Sequence, residues 1–392
     1  GAPPFLSDNN IKDFNVVHQV SNQDDRSTLD FGLDYKWQEV SRFYQNELED
    51  SSLFMDQKNF GSSTIEPFVN YEYIGLNKWY FQVGFRGTYY SSLDDFSIAP
   101  RVLINYDLSD HFILKASHGW YKQFLSQVKN FEYCSGGFDN ELWTLADNET
   151  GFIIRGMQSM TGATISANRW IIDAEIFYKT ANNITIYENK RLEPGNTFYT
   201  MDQITYGVDL LTKRQVNEMT DLWIGYSYHG SEIVIDTARE ISYKSKFVQP
   251  HVFYIGGAWK KNRWKVSASW RYASGLSTET LETAYVEATA EPNDGEMPPQ
   301  PPQGGPPPQG GGSTTSVEDL PNRYPAVHSL DISASYKIPQ TDERKWSASI
   351  GLSIINTLDQ TNLTDQVFRN REGFVDREAI GFAPNLMIII ER

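Results

Sequence analysis

Seven charged side chains sit in the middle of otherwise apolar segments, and they are the residues of this sequence best placed to do chemistry. Lys115, Asp173, Glu175, Asp209, Lys265, Arg271 and Asp331 each interrupt a stretch in which large apolar residues hold alternate positions. The chemistry they offer is electrostatic: ion pairing, recognition of a charged solute, or the seating of a polar domain. A covalent or metal-assisted reaction needs other groups. The histidines, His18, His111, His118, His229, His251 and His328, show no metal-ligand spacing, and His111 and His118 fall on opposite faces of one strand. No GxSxG, HExxH, CxxC or P-loop pattern occurs, so neither a nucleophile nor a metal or phosphate cradle is indicated. The expectation is a protein that is not an enzyme and carries no cofactor and no metal.

The elements that position those charges are strands. Side chains alternate across a strand with period 2. In residues 264–272, Trp264, Val266, Ala268, Trp270 and Tyr272 share one face, against Lys265, Ser267, Ser269 and Arg271 on the other. Residues 170–179 repeat the pattern, with Trp170, Ile172, Ala174, Ile176 and Tyr178 opposing Asp173, Glu175 and Lys179. Residues 330–337 and 346–354 follow it too. The apolar stripes end in aromatics: Trp170, Tyr178, Trp264, Tyr272, Tyr336 and Trp346. Such rings settle where hydrocarbon meets headgroups, because one edge is apolar and the other can hydrogen-bond. The charged face, costly against lipid, suits a watery lumen or a plug.

Composition supports wet-faced strands. Apolar residues make up only 40% of the 392 residues, yet aromatics reach 14%. No run approaches the roughly 18 apolar residues of a membrane helix, which excludes helical spans and leaves membrane strands open. A net charge of −16 argues against a nucleic-acid partner. The single cysteine, Cys134, excludes an intrachain disulfide.

Fourteen segments alternate strongly: 28–38, 64–74, 79–90, 96–107, 111–120, 157–167, 170–180, 203–213, 221–231, 250–260, 263–273, 328–337, 345–356 and 382–391. A weaker one lies at 12–20. Lengths near ten residues suit tilted membrane strands. Short turns near 74–77, 107–110, 167–169, 215–220, 260–263 and 339–345 alternate with longer links near 39–63, 121–156, 181–202, 232–249, 274–327 and 357–381. All long links therefore leave one end of the sheet, as in bacterial outer-membrane barrels. Within the 274–327 link, residues 291–312 hold eight Pro and six Gly, a composition that cannot enter a ladder. The expected fold is all-β: an antiparallel transmembrane β-barrel with about 14 strands visible. Residues 1–27 form a lead-in segment or partial strand, and 28–392 form the barrel portion.

Several segments resemble the barrel of a TonB-dependent outer-membrane transporter of the kind abundant in Bacteroidota. The likeness runs through the strands around Tyr80–Tyr90 and Ile98–Tyr106, then "ILKASHGWYKQF", "AEIFYKTANNITIY" and "TYGVDLLTKR". It continues in "WRYASGLSTE", "NRYPAVHSLDISASYKI" and "IINTLDQTN". The resemblance implies that this chain is the later, C-terminal part of a barrel of about 22 strands. It implies partners outside the chain: an N-terminal plug, the remaining strands, a TonB-type energising protein and outer-membrane lipid, with a surface lipoprotein as a further candidate. The implied function is energised uptake of a scarce ligand, such as a siderophore, metal complex, cofactor or glycan. Long loops would be extracellular and the C-terminus periplasmic. Trp143, Phe152, Tyr187, Phe198 and Tyr199, in the long links, are the candidate ligand contacts.

Two competing readings make different demands. A complete fourteen-stranded passive channel requires closure of 28–38 on 382–391, with residues 1–20 inside or periplasmic. A real fifteenth strand at 12–20 would leave the barrel incomplete from this chain. A soluble all-β binding protein, the third reading, gives no reason for loops sorted by length.

Overall fold

The computed structural model describes residues 5–47, 53–76, 78–130, 142–189, 196–236, 241–245, 248–277, 323–341, 346–369 and 373–391. Fifteen long strands make one antiparallel meander. They are β1 (Phe5–Gln23), β2 (Ser27–Glu47), β3 (Leu53–Leu76), β4 (Trp79–Tyr90), β5 (Asp95–Ser109), β6 (Phe112–Gln123), β9 (Ile154–Ala167) and β10 (Trp170–Asn189). The series continues with β11 (Asn196–Asn217), β12 (Thr220–Asp236), β14 (His251–Lys261), β15 (Trp264–Ala273), β16 (Val327–Ile338), β17 (Ser347–Ile355) and β20 (Ala383–Glu391). Each pairs with the next along this order. Five short strands lie in the links: β7 (Leu125–Asn130), β8 (Leu142–Leu145), β13 (Ile241–Lys244), β18 (Leu363–Arg369) and β19 (Gly373–Glu378).

One end of the sheet carries only short connections, while the other mixes short and long: β4 and β5 are separated by four residues there, β2 and β3 by five, and β15 and β16 by 53. The connections β1–β2, β3–β4, β5–β6, β9–β10, β11–β12 and β14–β15 are tight, and with the β16–β17 turn they share one end of the sheet. Asn168, Arg169 and Asn262 take positive φ in these tight turns, as the right-handed twist of a hairpin demands. β20 runs toward this short-turn end.

Three expectations need correction. The weak segment at 12–20 is a full strand, paired to β2 from Phe5↔Asn46 to Gln23↔Thr28. The meander therefore has fifteen strands rather than fourteen. Second, β2 is already paired on both edges, to β1 and β3, so 28–38 has no edge to offer 382–391. That removes the fourteen-stranded closure. No ladder joins β1 to β20 among the described residues, and the sheet stays open. Third, the links expected at 39–63, 181–202 and 232–249 are largely strand. β2 and β3 stay paired out to Glu47↔Leu53, and β10 and β11 out to Asn189↔Asn196. Of the Pro/Gly-rich link, residues 278–322, including 291–312, lie outside the described residues.

Candidate functional site

Paired residues of neighbouring strands share a face, so the register assigns faces directly. From Lys115 the line runs through Gly162, Glu175, Asp209 and Ser227. Asp173 connects through Leu211, Gly225 and Tyr254 to Arg271. Lys265 and Ser269 lie on the Arg271 side of β15, and Ser269 opposes Asp331. All seven charged candidates thus occupy one face. Trp170, Tyr178, Trp264, Tyr272 and Tyr336 occupy the other, with Trp346 just before β17 on the same alternation. Trp264 and Tyr336 touch, with centroids 4.9 Å apart. Their face also exposes Leu210, Ile224, Ile255, Ile332 and Ile350, a continuous apolar surface that a water-soluble sheet would cover.

Only three of the seven charges form one cluster. Lys115 Nζ is 2.7 Å from Asp173 Oδ1 and also binds Glu175 Oε1. Thr164 Oγ1 donates to Asp173 at 2.7 Å. Lys115 on β6 reaches β10 across β9, where the intervening residue is Gly162. A Cβ there would meet Ala174 O and lie 3.1 Å from both Lys115 Cε and Glu175 Cγ, so the glycine leaves the opening for the ion pair. The others act apart. Asp209 takes His229 Nε2 at 3.1 Å, and Arg271 donates to Gln249 at 2.8 Å. Asp331 accepts from Ser329 Oγ at 2.7 Å and from the Asn356 amide at 2.9 Å. Lys265 faces Lys260 and Ser335 in register.

A second charged group escaped the sequence reading. Arg86 lies 2.8 Å from Glu66 and 3.9 Å from Asp34, and Thr88 donates to Glu66 at 3.2 Å. Its signal was the same as for the chosen residues: a charge on the polar phase of the 28–38, 64–74 and 79–90 segments.

The link between β6 and β9 is not a free loop. β7 pairs antiparallel with β8 (Gln127↔Trp143) and parallel with the upper edge of β10 (Lys129↔Ile186). Asn9 of β1 clasps β8, accepting from the Trp143 amide at 2.9 Å and donating to its carbonyl at 3.4 Å. Tyr90 donates to Ala146 O at 2.8 Å and stacks on Phe124 at 4.5 Å. The Thr185 hydroxyl accepts from the Phe152 amide at 3.1 Å. Asn9 and Tyr90 lie on the polar phase of their strands, so the link forms a strap over that face. Tyr90, Phe124, Ala146 and Ile153 make its buried core. Burial raises the Tyr90 hydroxyl above the ordinary phenol value at this long-link rim.

The strap reveals curvature. Between β1 and β10 lie six strands, so the two are about 34 Å apart along the sheet. Through β8 and β7 the path from Asn9 to Ile186 is only about 20 Å, two ladder spacings plus a short offset and a side chain. The sheet must curl, and its polar face is concave.

The expected loop aromatics separate. Trp143 is in β8, its backbone held by Asn9. Phe152 lines a cavity of about 250 Å³ with Leu93, Phe96 and Arg155. Tyr187 and Phe198 are ladder partners in β10 and β11, and Tyr199 opposes Ile186. The side chains of those three lie outside the described residues. Among the described residues no cluster of His, Cys, Asp and Glu is arranged to hold a metal ion.

Comparisons bear on this arrangement. A family model described as TonB dependent receptor-like, beta-barrel matches residues 3–356. No curated protein sequence matches the chain. Among solved structures, the copper transporter OprC superposes with a TM-score of 0.64 at 10% identity, over 99% of this chain and 57% of that one. The ferric yersiniabactin uptake receptor FyuA from Yersinia pestis gives 0.60 at 11% identity, over 99% and 54%. The ferric enterobactin receptor PfeA of Pseudomonas aeruginosa gives 0.64 at 8% identity, over 97% and 54%. At these identities the likeness is one of fold, and the chain spans little more than half the length of each.

Proposed function

The chain belongs to the TonB dependent receptor-like β-barrel family, and on that premise we propose that it forms part of the wall of an energised outer-membrane transporter. The proposed cargo is a scarce ligand: a siderophore, metal complex, cofactor or glycan. The observation that carries the proposal is a curled, fifteen-stranded meander with charge on its concave face and apolar side chains outside. In lipid an unpaired edge is costly, so the edges of β1 and β20, unpaired among the described residues, call for further strands. On this reading the chain is the later part of a barrel of about 22 strands, of the Bacteroidota type. Lys115, Asp173, Glu175, Asp209, Lys265, Arg271 and Asp331 then face a lumen filled by an N-terminal plug. Trp170, Tyr178, Trp264, Tyr272, Tyr336 and Trp346 sit at the lipid interfaces. The short-turn end and C-terminus are periplasmic, the long links extracellular. A TonB-type protein engages the plug, and a surface lipoprotein is a candidate for the external rim.

The test is import. Cells carrying or lacking the gene are starved of metal and supplied singly with metal chelates, cobalamins and oligosaccharides. Loss of growth on one solute in the deletion strain, reproduced when the inner-membrane proton gradient is collapsed, is the expected result. Import that continues without the gradient would instead favour a passive channel and overturn energised uptake.

A further inference from the structure

Beneath the strap, on the concave face, lies a cavity of about 340 Å³ crossing β2 to β6. Phe124, at the kink where β6 leaves the wall for β7, roofs it. Its walls carry more positive than negative charge. Arg86 is neutralised by Glu66 at 2.8 Å, with Asp34 at 3.9 Å. Lys122 is held by Asp95 at 2.6 Å. Lys36 and Arg101 also line the cavity, and neither has an acidic partner among the described residues. Arg101 lies over the Tyr121 ring at 4.7 Å, which positions its guanidinium and leaves its N–H donors unspent. Set against Asp34, Glu66 and Asp95, the four cations Lys36, Arg86, Arg101 and Lys122 leave one positive charge over among the described residues, a local inversion of sign in a chain of net charge −16. Lys36 is half-buried and so acts in a lower dielectric than a surface charge does, whereas Arg101 is exposed on the concave face and free to reach a solute.

We propose that this cavity is an anion-recognition subsite for a small soluble ligand bearing carboxylate or phosphate groups. It rests on the uptake reading above and narrows its cargo. Lys36 supplies a point charge from β2, and Arg101 a planar fork from β5 able to grip two oxygens of one group. Because the strap roofs the cavity, the ligand reaches it from the concave side, between the wall and the plug that the uptake reading places there, rather than from the membrane.

The experiment uses the complete receptor, purified folded in detergent, with radiolabelled citrate and inorganic phosphate as probes in equilibrium dialysis. Saturable binding of at least one probe at low salt is expected, weakened as salt screens it. The Lys36→Gln/Arg101→Gln double variant should bind about tenfold more weakly. Lys36→Arg, which keeps the charge and leaves the Arg101 fork in place, should retain binding and so separates charge from folding defects, whereas Arg101→Lys should weaken it through loss of the fork. Lys213→Gln, which removes a cation from the same face near the short turns, should leave binding unchanged. Equal binding by wild type and the Gln double variant, or no saturable binding of either probe by wild type, overturns the subsite. A receptor that still imports its cargo with the gradient intact, yet binds neither probe, refutes the subsite alone and leaves the uptake reading standing.

Discussion

Two neighbouring substitutions on β15 test which face meets lipid. Ala268 and Ser269 are adjacent in sequence and opposite in orientation: Ala268 pairs with Ile332, and Ser269 with Asp331. Ala268 is four residues from Trp264 and four from Tyr272. Eight residue steps cover about 27 Å along a strand, and a tilt of about 40° reduces this to about 21 Å along the membrane normal. That nearly fills the apolar band of about 25 Å typical of outer-membrane barrels. Ala268 therefore sits about 10 Å from either interface, near the midplane. Arginine there is expected to cost about 2–4 kcal/mol. Ser269→Arg points into the concave face, directly across from Asp331, and its cost should be about zero.

The assay is denaturant unfolding of the complete receptor in lipid vesicles, followed by tryptophan fluorescence, with folding checked by mobility before and after heating. Ala268→Arg should lower the midpoint clearly, and Ser269→Arg should not. Ala268 is small and exposed, so its replacement removes little packing and the difference reports the environment. Equal costs for the two variants would refute the face assignment. A larger cost for Ser269→Arg would invert it, making the charged face the one in lipid.

Three further outcomes follow from the same geometry. Lys115→Met leaves Asp173 and Glu175 without their shared cation and should cost about 1–3 kcal/mol; adding Asp173→Asn and Glu175→Gln should recover most of it, measured by unfolding as a mutant cycle. Gly162→Val places a branched side chain between Lys115 and Glu175 and against the Ala174 carbonyl, and should cost about 1–3 kcal/mol by overpacking, by the same measurement. Tyr90→Phe strips the bond to Ala146 O in a buried setting, so amide exchange in 142–146 should speed by about tenfold while β14 to β17 stay unchanged, consistent with about 1–2 kcal/mol of local opening.

How much of this was legible depends on where a residue sits relative to the membrane band proposed above. Inside the band one face is apolar and the other polar, so strands such as 170–179 and 264–272 announce both their period and their phase. Above it, both faces are wet. Residues 39–47 and 53–63 keep the β2–β3 ladder without the alternation, and the pattern that marks a strand disappears while its hydrogen bonds persist. β1 was weak for a related reason: Val16 and Val17 are adjacent and both half-exposed, which blurs the period. Residues 124–130 and 142–153 show no period because neighbours remote in sequence hold them, Asn9 among them. The Lys115 cluster was visible as separate charges. Its assembly required Gly162, whose meaning appears only when three strands are in register.

The strap and the curl of the sheet are linked causes rather than separate features. A flat fifteen-stranded sheet would keep Asn9 and β10 too far apart for one short hairpin to touch both, so the strap's contacts exist only because the wall bends. The bend has a direction because two residues that clasp the strap, Asn9 and Tyr90, project from the charged side. Once that side is concave, the apolar side is convex and continuous, and in water it would be an aggregation surface. In the outer-membrane setting proposed above, lipid would remove that penalty and add a constraint of its own, since every ladder edge within it must be paired. In the same setting the charges are tolerable, because the backbone wall that carries Lys115, Asp173 and Glu175 would shield them from hydrocarbon. Lys36 and Arg101 differ from them in having no acidic partner of their own among the described residues, which is why they, rather than the compensated cluster, are the charges left to meet a ligand.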